Sequence, residues 1–367
     1  MPQEFHPPAN QPPATSACHS GNSSSAGSET ENSQRATADP NTLNPAEALQ
    51  LNQQMCDKAA ACWFLTGATA SGKTSISIEM ARHLNAEIIS LDSMAIYREM
   101  DIGTAKPTVE IRQQVPHHLI DIVNPDQMYS VSQYREQALN KIDEIRDRGH
   151  EVLFVGGTAL YLKTLLRGMF QGPPADWELR KEIEAELAEM GSDFLHQRLA
   201  MVDPISADLL HPNDHRRIIR ALEVLRATGK PISHWQMEFD NARDPLTCRV
   251  FTVRHPRALL HQRIESRVEQ MFESGLFAEV ENLIAKYHRL SQTASQAVGY
   301  QEVISHLNQQ MSLPETIEKV KTRTRKFARH QETWFRGMQE CRLIDLAEDV
   351  EPAQIAESII AAADNGQ

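Results

Sequence analysis

The sequence predicts an α/β protein built on a doubly wound parallel sheet that carries a helical insertion. Short apolar runs alternate with helical segments from residue 62 onward, and this alternation is typical of parallel sheets with helical crossovers. A glycine-rich loop follows the first apolar run, at the edge where such sheets form ligand sites. Strand signals then disappear between residues 172 and 245, where only helical patterns remain.

Length and composition limit the class of protein. The 367 residues provide for about two domains, and 41% of them are hydrophobic, which is enough for a sizeable core. No apolar run approaches 18 residues and no basic start precedes an apolar block, so we expect neither a membrane span nor a secretory signal, and a cytoplasmic location. The five cysteines are scattered without a C-x-x-C pair, which argues against a disulfide framework or a zinc ribbon.

The charge balance is acidic. The 37 basic and 49 acidic residues give a net charge of −12, which argues against a wholly basic surface that coats nucleic acid non-specifically. A local basic groove remains compatible with this balance.

Residues 1–58 differ in composition from the rest of the chain. Pro, Ser, Asn, Gln, Thr and Ala dominate there, and neither Val nor Ile occurs. Such a segment cannot bury a core, so we predict a disordered N-terminal tail. The tail is too acidic for a mitochondrial transit peptide. Met55 precedes the first apolar run and is an alternative translation start that would yield a compact domain.

The first part of the core is expected at residues 59–171. Apolar runs at 62–66, 87–91 and 151–155 are short enough for buried parallel strands. A helix lies between the last two runs, because apolar residues from Val131 to Ile145 share one helical face. A capping box begins that helix and a glycine ends it, and these residues are Ser130, Gln133 and Gly149.

The rest of the chain divides into an insertion, a return to the core and a tail. Helical stretches broken by Gly and Pro predict a helical insertion at 172–245. A returning strand at 249–253, long helices and a last short strand at 342–345 predict the second part of the core, with basic helices, at 246–345. Residues 346–367 are expected to form a C-terminal tail.

A phosphate-binding motif lies between the first strand and the next helix. The segment fits G-x-x-x-x-G-K-[ST] and consists of Gly67, Ala68, Thr69, Ala70, Ser71, Gly72, Lys73 and Thr74. Its backbone N–H groups and the helix dipole would attract a phosphate group, Lys73 would add a full positive charge, and Thr74 could hold Mg²⁺. The alternative is a glycine turn that binds nothing.

Missing motifs narrow the role of this loop. The strand at 151–155 runs into Gly156-Gly157-Thr158 without the carboxylate that would order Mg²⁺ or polarise water in a motor ATPase. No Asn-Lys-x-Asp guanine-binding motif occurs. We therefore do not expect nucleotide hydrolysis for mechanical work.

Asp92 and Thr158 each follow a predicted strand. The carboxyl ends of parallel strands meet at one edge of a sheet, so both residues should face the same crevice as the phosphate loop. This position makes Asp92 a candidate base. The alternative is that Asp92 only caps the next helix, since Asp is a favoured N-cap residue.

From about residue 62 to 340 the chain resembles the tRNA dimethylallyltransferase family. The stretch from Met100 to Pro107 is more diagnostic than the phosphate loop, which many kinases share. The matching segments are Gly67–Thr74, Ser90–Ser93, Tyr97–Pro107, Gly156–Thr158 and His211–Asp214.

The resemblance implies a P-loop NTPase/kinase-like fold and a prenyltransferase activity. It implies transfer of a dimethylallyl group from dimethylallyl diphosphate, with Mg²⁺, to N6 of adenosine 37 beside the tRNA anticodon. The products would be N6-isopentenyladenosine and diphosphate. The phosphate loop would then hold the diphosphate leaving group. The zinc finger that eukaryotic members add is absent from the sequence, as in bacterial members.

The resemblance also implies roles for individual residues. Asp92 would take the proton as adenine N6 attacks, Thr158 would donate a hydrogen bond near the diphosphate, and Arg267 would bind the diphosphate. Arg263 lies four residues before Arg267 on the same helical face. The alternative for Arg263 is an ordinary ion pair with Glu265 or neighbouring acids.

Four stretches correspond to the family's tRNA contacts, and one of them lies in the helical insertion at 172–245, so the resemblance implies a tRNA-contacting insertion. They comprise Asp92, Ser93, Met94, Ala95, Arg216, Arg217, Ile218, Ile219, Arg220, Gln296, Ala297, Val298, Gly299, Tyr300, Gln301, Arg329, His330, Gln331, Glu332, Thr333, Trp334, Phe335 and Arg336. Many relatives carry arginines where this chain has Gln296 and Gln301. Residues 319–336 combine seven basic residues and one acid with aromatic residues, which suits an RNA surface. A solvated basic helix face is the alternative.

Three functions remain to be compared. The first is the tRNA prenyltransferase, with dimethylallyl diphosphate and the anticodon stem-loop as partners, acting as a monomer. The second is a small-molecule P-loop kinase, which would bind ATP but would not require the basic and aromatic segment at 319–336. The third is an RNA-binding module with a vestigial loop, against which the intact Lys73, Thr74, Asp92 and Thr158 argue.

Overall fold

The computed structural model describes residues 45–170, 172–173, 175–236, 241–347 and 350–364. Residues 1–44 of the expected tail lie outside the described residues.

The described chain contains a single six-stranded sheet in which every strand pair is parallel. The strands are β1 (Trp63–Gly67), β2 (Ala86–Ser90), β3 (His117–His118), β4 (Glu151–Gly156), β5 (Arg249–Arg254) and β6 (Cys341–Asp345). Their order across the sheet is β3-β2-β4-β1-β5-β6. The predicted α/β fold with a parallel sheet is confirmed. The sequence missed β3, because two histidines carry no apolar run.

Helices cover both faces of this sheet and form the insertion. In chain order they are α1 (Pro45–Ala60), α2 (Lys73–Leu84), α3 (Val109–Gln114), α4 (Val131–Asp147), α5 (Ala159–Arg167), α6 (Trp177–Met190), α7 (Ser192–Val202), α8 (Pro204–Leu209), α9 (His215–Thr228), α10 (Ile232–Gln236), α11 (Arg257–Glu273), α12 (Leu276–Tyr287), α13 (Gln292–Ser295), α14 (Tyr300–Leu307), α15 (Leu313–Arg336) and α16 (Pro352–Asp364). The capping box predicted from Ser130 and Gln133 is present at the start of α4. None of the helices in the described ranges is long and apolar enough to cross a membrane.

Alternating side chains of the central strands supply two separate cores. Phe64 and Phe154 stack at 4.7 Å in the core beneath α1, α4 and α5. Leu65 and Leu153 point to the opposite face, where α2 and α16 cover them. Because successive strand residues face opposite sides, strands covered on both sides are apolar throughout, as the sequence runs indicated.

Both expected tails are ordered where the structure describes them. The tail prediction for residues 45–58 is wrong, since they belong to α1, which buries Cys56 and Ala59 against the core and whose Asn52 accepts a hydrogen bond from Arg135. The average composition of residues 1–58 hid a helix-forming segment rich in Ala, Leu and Gln. In the expected C-terminal tail, α16 buries Ala356 and Ile359 against α2.

The insertion helices α6 to α10 pack around a core of their own. Ile183 of α6, Leu195 of α7 and Ile218 of α9 are almost completely buried there. Asp203 caps α8 and also accepts a hydrogen bond from the backbone of Ser233, which joins α8 to α10.

Candidate active site

The glycine-rich loop connects β1 to α2 at the carboxyl edge of the sheet. Gly67 adopts φ 146°, and a Cβ atom there would lie 2.5 Å from the carbonyl oxygen of Val253. This position therefore requires glycine. The first helical residue is Lys73, so the free N–H groups at the start of α2 face the loop. This backbone can bind an anion.

The side chain of Lys73 folds back beneath the loop. Its Nζ donates to the carbonyl oxygens of Gly67 and Ala68 at 3.0 and 2.6 Å. Desolvation, together with the nearby charge of Arg267, lowers the pKa of Lys73 to about 7, although Asp92 acts in the opposite direction. A bound diphosphate would supply the negative charge that this cluster of cations lacks.

Two arginines of α11 complete the positive side of the site. Arg263 donates from Nε to the carbonyl oxygen of Ala70 at 2.9 Å, so it holds the tip of the loop. Desolvation lowers the pKa of Arg267, with Arg263 acting in the same direction and Asp92 opposing. The alternative pairing of Arg263 with Glu265 does not occur, because Glu265 pairs with Arg325. The sequence had left this role of Arg263 open.

Asp92 and Thr158 meet at the ends of the neighbouring strands β2 and β4. The Thr158 hydroxyl accepts a hydrogen bond from the backbone N–H of Ser93 at 3.1 Å. Asp92 Oδ1 accepts from the backbone N–H groups of Met94 and Ala95 at 2.7 and 3.3 Å. In the described part of the chain Oδ2 accepts no hydrogen bond from protein. Asp92 therefore caps a turn with one oxygen and keeps the other for a ligand.

Gln331 of α15 lies against the loop and against the end of β4. Its Oε1 accepts from the backbone N–H of Thr69, and its Nε2 donates to the carbonyl oxygen of Gly157, both at 2.9 Å. The sequence assigned Gln331 only to the tRNA surface, because a glutamine in a basic helix carries no signal for this bridge.

The motif from Met100 to Pro107 is held by a buried lysine. Lys106 Nζ donates to the carbonyl oxygen of Tyr97 at 2.8 Å and to the carboxylates of Asp101 and Asp121 at 2.5 and 2.6 Å. Its charge is thus neutralised where it is buried. The lysine fixes the shape of the segment that follows Asp92.

Glu279 of α12 fixes the same segment from the other side. Its carboxylate accepts from the backbone N–H groups of Asp101, Ile102 and Gly103 at 3.0, 2.8 and 3.3 Å. It also accepts from the Tyr300 hydroxyl at 2.5 Å. Sequence reasoning missed Glu279, which stands in an ordinary amphipathic helix without a motif.

The sequence-assigned tRNA residues of α9 divide between surface and core. Arg216 and Arg217 are exposed, whereas Ile218 and Ile219 are buried in the core of the insertion. Arg220 is bound to the buried carboxylate of Glu223. Of the residues 216–220, only Arg216 and Arg217 therefore present exposed side chains to a ligand.

The segment 296–301 exposes its two glutamines and buries Ala297 and Tyr300. Arg323 of α15 donates to the Gln301 side chain at 2.6 Å and pairs with the buried carboxylate of Glu302. This arginine joins α15 to the segment and brings a cation to a stretch that has none of its own.

The predicted residues of α15 also differ in exposure. Trp334 is 41% exposed and Phe335 only 1%, so of these two aromatic residues the tryptophan is the one that can stack on a base. Arg329 and Arg336 are exposed seven residues apart, which places them on one face of the helix. Gln331 and Phe335 point into the protein.

The structure provides an oxygen donor for Mg²⁺ at Thr74. The side chain is exposed at the start of α2, and its hydroxyl forms no hydrogen bond with the described residues. Hydroxyl and phosphate oxygens are ligands that Mg²⁺ prefers. Nowhere in the described ranges do three or more His, Cys, Asp or Glu side chains form a metal-binding group. The residues present fit an ion that would be held mainly by Thr74 and the oxygens of a bound phosphate group.

Comparison with known sequences identifies one family. The family model described as IPP transferase matches residues 95–338. The tRNA dimethylallyltransferase of Rhodopirellula baltica is 46% identical over 309 residues, which are 81% of this chain and 92% of that protein. The enzyme of the same name from Pelotomaculum thermopropionicum is 46% identical over 297 residues, 80% of this chain and 94% of that protein.

Solved structures agree with this result. A tRNA isopentenylpyrophosphate transferase from Bacillus halodurans superposes with a TM-score of 0.59 at 36% identity, over 84% of this chain and 98% of that chain. A eukaryotic dimethylallyltransferase acting on tRNA superposes with a TM-score of 0.65 at 28% identity, over 77% of this chain and 73% of that chain.

Proposed function

Because the chain belongs to the IPP transferase family, we propose that it is a tRNA dimethylallyltransferase that modifies N6 of adenosine 37 beside the anticodon. The family match at residues 95–338 begins after the phosphate loop. It therefore does not depend on the one motif that small-molecule kinases share, and the kinase alternative is not supported. Two relatives of 46% identity carry the same activity in their names.

The donor is dimethylallyl diphosphate, bound through its phosphates. The backbone of Gly67–Thr74, Lys73 and Arg267 surround the place where the diphosphate would lie, and Arg263 supports the tip of the loop. Mg²⁺ held by Thr74 and the phosphates would add charge compensation for the departing diphosphate. Positive groups at this position stabilise the negative charge that develops on the leaving group.

Transfer is a displacement at the allylic carbon. The N6 nitrogen of the adenine forms a bond to C1 of the dimethylallyl group while the bond from C1 to the diphosphate oxygen breaks. The nitrogen then loses a proton, which Asp92 Oδ2 accepts, while Oδ1 keeps the carboxylate fixed to the backbone of Met94 and Ala95. Thr158, fixed to Ser93, donates its hydroxyl near the diphosphate.

The observation that carries this proposal is the meeting of the cationic loop with the anchored carboxylate of Asp92 at one edge of the sheet. The acceptor tRNA would approach over the exposed residues of α9 and α15, among them Arg216, Arg329 and Trp334. The charges of the two arginines compensate locally for the acidic balance of the whole chain.

A transfer assay tests the proposal. The protein is incubated with tRNA and labelled dimethylallyl diphosphate, and digested tRNA is analysed for N6-isopentenyladenosine. ATP with a labelled γ-phosphate serves as the comparison donor. We expect label in tRNA from the first donor only, loss of transfer in Lys73→Ala, and transfer retained in Lys141→Ala, which removes an equal charge from α4. Phosphoryl transfer without prenyl transfer would contradict the proposal.

A further inference from the structure

A side-chain amide joins the two halves of the site. Gln331 is 6% exposed, and each end of its amide has a backbone partner on a different element. Oε1 accepts from Thr69 in the phosphate loop, and Nε2 donates to Gly157 in the turn that leads to Thr158. The bridge therefore ties the donor loop to the turn whose Thr158 is hydrogen-bonded to Ser93, the residue that follows Asp92.

The Gln331 amide is packed closely against the backbone of Gly157. A Cβ atom on Gly157 would lie 2.2 Å from Gln331 Nε2 and 3.3 Å from the carbonyl oxygen of Gly67. The phosphate loop, the glycine turn and the amide are thus packed against each other with no room for a methyl group. Such close packing leaves little freedom for the loop and the turn to move relative to each other.

The burial of Gln331 separates it from the exposed residues of its helix. Arg329, His330 and Trp334 face solvent, whereas both polar ends of the Gln331 side chain are occupied by backbone groups. Because the side chain is also buried, a nucleotide has little access to the hydrogen-bonding capacity that remains on the amide. Its interactions point to the loop instead.

We propose that Gln331 is a positioning residue that holds the phosphate loop in register with the Gly157–Thr158 turn. The donor bound at the loop and the adenine N6 beside Asp92 then lie at reacting distance. The inference rests on the proposed function. Misplacing reacting groups by about 1 Å commonly lowers turnover by about 10²-fold. A residue of this kind acts on kcat more than on the affinity for tRNA.

Gln331→Met tests the bridge, because it keeps the length of the side chain and removes both hydrogen bonds. We expect kcat to fall by about 10–100-fold, while the dissociation constant for an anticodon stem-loop RNA changes by less than about twofold. Hydrogen exchange of the peptide that contains Thr69 should become faster, since its N–H loses its acceptor. Gln270→Met, an exposed substitution on α11, is the matched control and should leave all three measurements unchanged.

Gln331→Glu separates positioning from general damage to the fold. A carboxylate can accept from Thr69 but cannot donate to Gly157, whereas a protonated carboxyl group can do both. The turnover of this variant relative to the parent should therefore rise as the pH falls from 8 to 5.5, while the ratio for Gln331→Met stays constant. Gly157→Ala should reduce kcat as Gln331→Met does, because its methyl group displaces the amide.

The outcomes distinguish failure of this inference from failure of the proposed function. Parental turnover and parental exchange at Thr69 in Gln331→Met would overturn the bridge. Weaker RNA binding with unchanged kcat at saturating RNA would identify Gln331 as a tRNA contact and also overturn it. If the parent itself transfers no dimethylallyl group, the proposed function fails. The exchange measurement would then still support or refute the structural bridge.

Discussion

The backbone N–H of Ser93 donates to the Thr158 hydroxyl over 3.1 Å and thereby joins the residue after Asp92 to the end of β4. β2 and β4 are neighbours in the sheet, so the residues that follow them must lie side by side. This contact, with the two hydrogen bonds that Asp92 Oδ1 accepts, fixes the carboxylate before any substrate arrives. A fixed base loses little entropy on reaction.

Asp92→Asn should distinguish the base from the cap. The asparagine side-chain oxygen can still accept from Met94 and Ala95, but the amide cannot take a proton. We expect kcat to fall by about 10²–10⁴-fold with the KM for dimethylallyl diphosphate almost unchanged. Steady-state kinetics and a thermal unfolding curve measure the two effects. A variant with parental turnover would show that capping is the whole role of Asp92.

The binding of inorganic diphosphate should depend on the ionisation of Lys73. The pKa of Lys73 is lowered to about 7, so in the free protein the amine is charged below that pH and neutral above it. The anion favours the charged form, so binding above pH 7 should take up a proton, and the affinity should fall by up to about tenfold per pH unit. Calorimetry at pH 8 in two buffers of different ionisation heat measures the uptake.

Lys73→Arg is the control for this dependence, because arginine stays charged throughout the range. The titration of the diphosphate itself affects both proteins equally. The difference between the parent and the variant therefore isolates Lys73. Identical pH dependence in the two proteins would contradict the assignment.

The features of the fold and the site that depend on local sequence patterns could be predicted from the sequence. Alternating apolar runs gave the parallel sheet, and the motif from Gly67 to Thr74 gave the position of the phosphate loop. It could not predict contacts between residues far apart in the chain, such as Gln331 with Thr69 or Glu279 with Ile102, since neither partner carries a motif. It also misjudged residues 45–58, because an average over a polar segment concealed the short apolar face of α1.

Because α1 packs on the core, we expect the effect of an N-terminal truncation to depend on how much of α1 it removes. A chain that begins at residue 45 should keep the stability and activity of the parent. A chain that begins at Met55 should retain activity when folded but unfold more easily, because the partly buried pair of Arg135 and Asn52 is lost. Arg135 Nη2 would keep only the weak sulfur acceptor of Cys56, and a buried donor that lacks a good acceptor costs up to about 1–3 kcal/mol. Urea unfolding of the two chains measures the difference. Equal stability would show that α1 contributes little before residue 55.

We expect the acidic chain to bind tRNA through exposed, positively charged side chains of α15. Arg329 and Arg336 share a face of this helix, whereas Lys321 and Arg325 are bound to carboxylates of α11. Substituting both exposed arginines with glutamine should weaken tRNA binding without affecting dimethylallyl diphosphate. If each arginine contacts one phosphate, each loss should reduce the slope of log affinity against log salt by about 0.7–0.9.

Two further variants complete this test on α15. Arg82→Gln with Lys141→Gln removes the same charge from α2 and α4 and should leave the salt slope unchanged. Trp334→Ala keeps the charge, so it should weaken binding by about 1–3 kcal/mol through lost stacking at an unchanged slope. If the arginine pair and Trp334→Ala both bind tRNA as the parent does at every salt concentration, the exposed face of α15 is ordinary helix surface. Arg216 and Arg217 of α9 would then be the cations to substitute next, because they are the exposed basic residues of the insertion stretch assigned to tRNA.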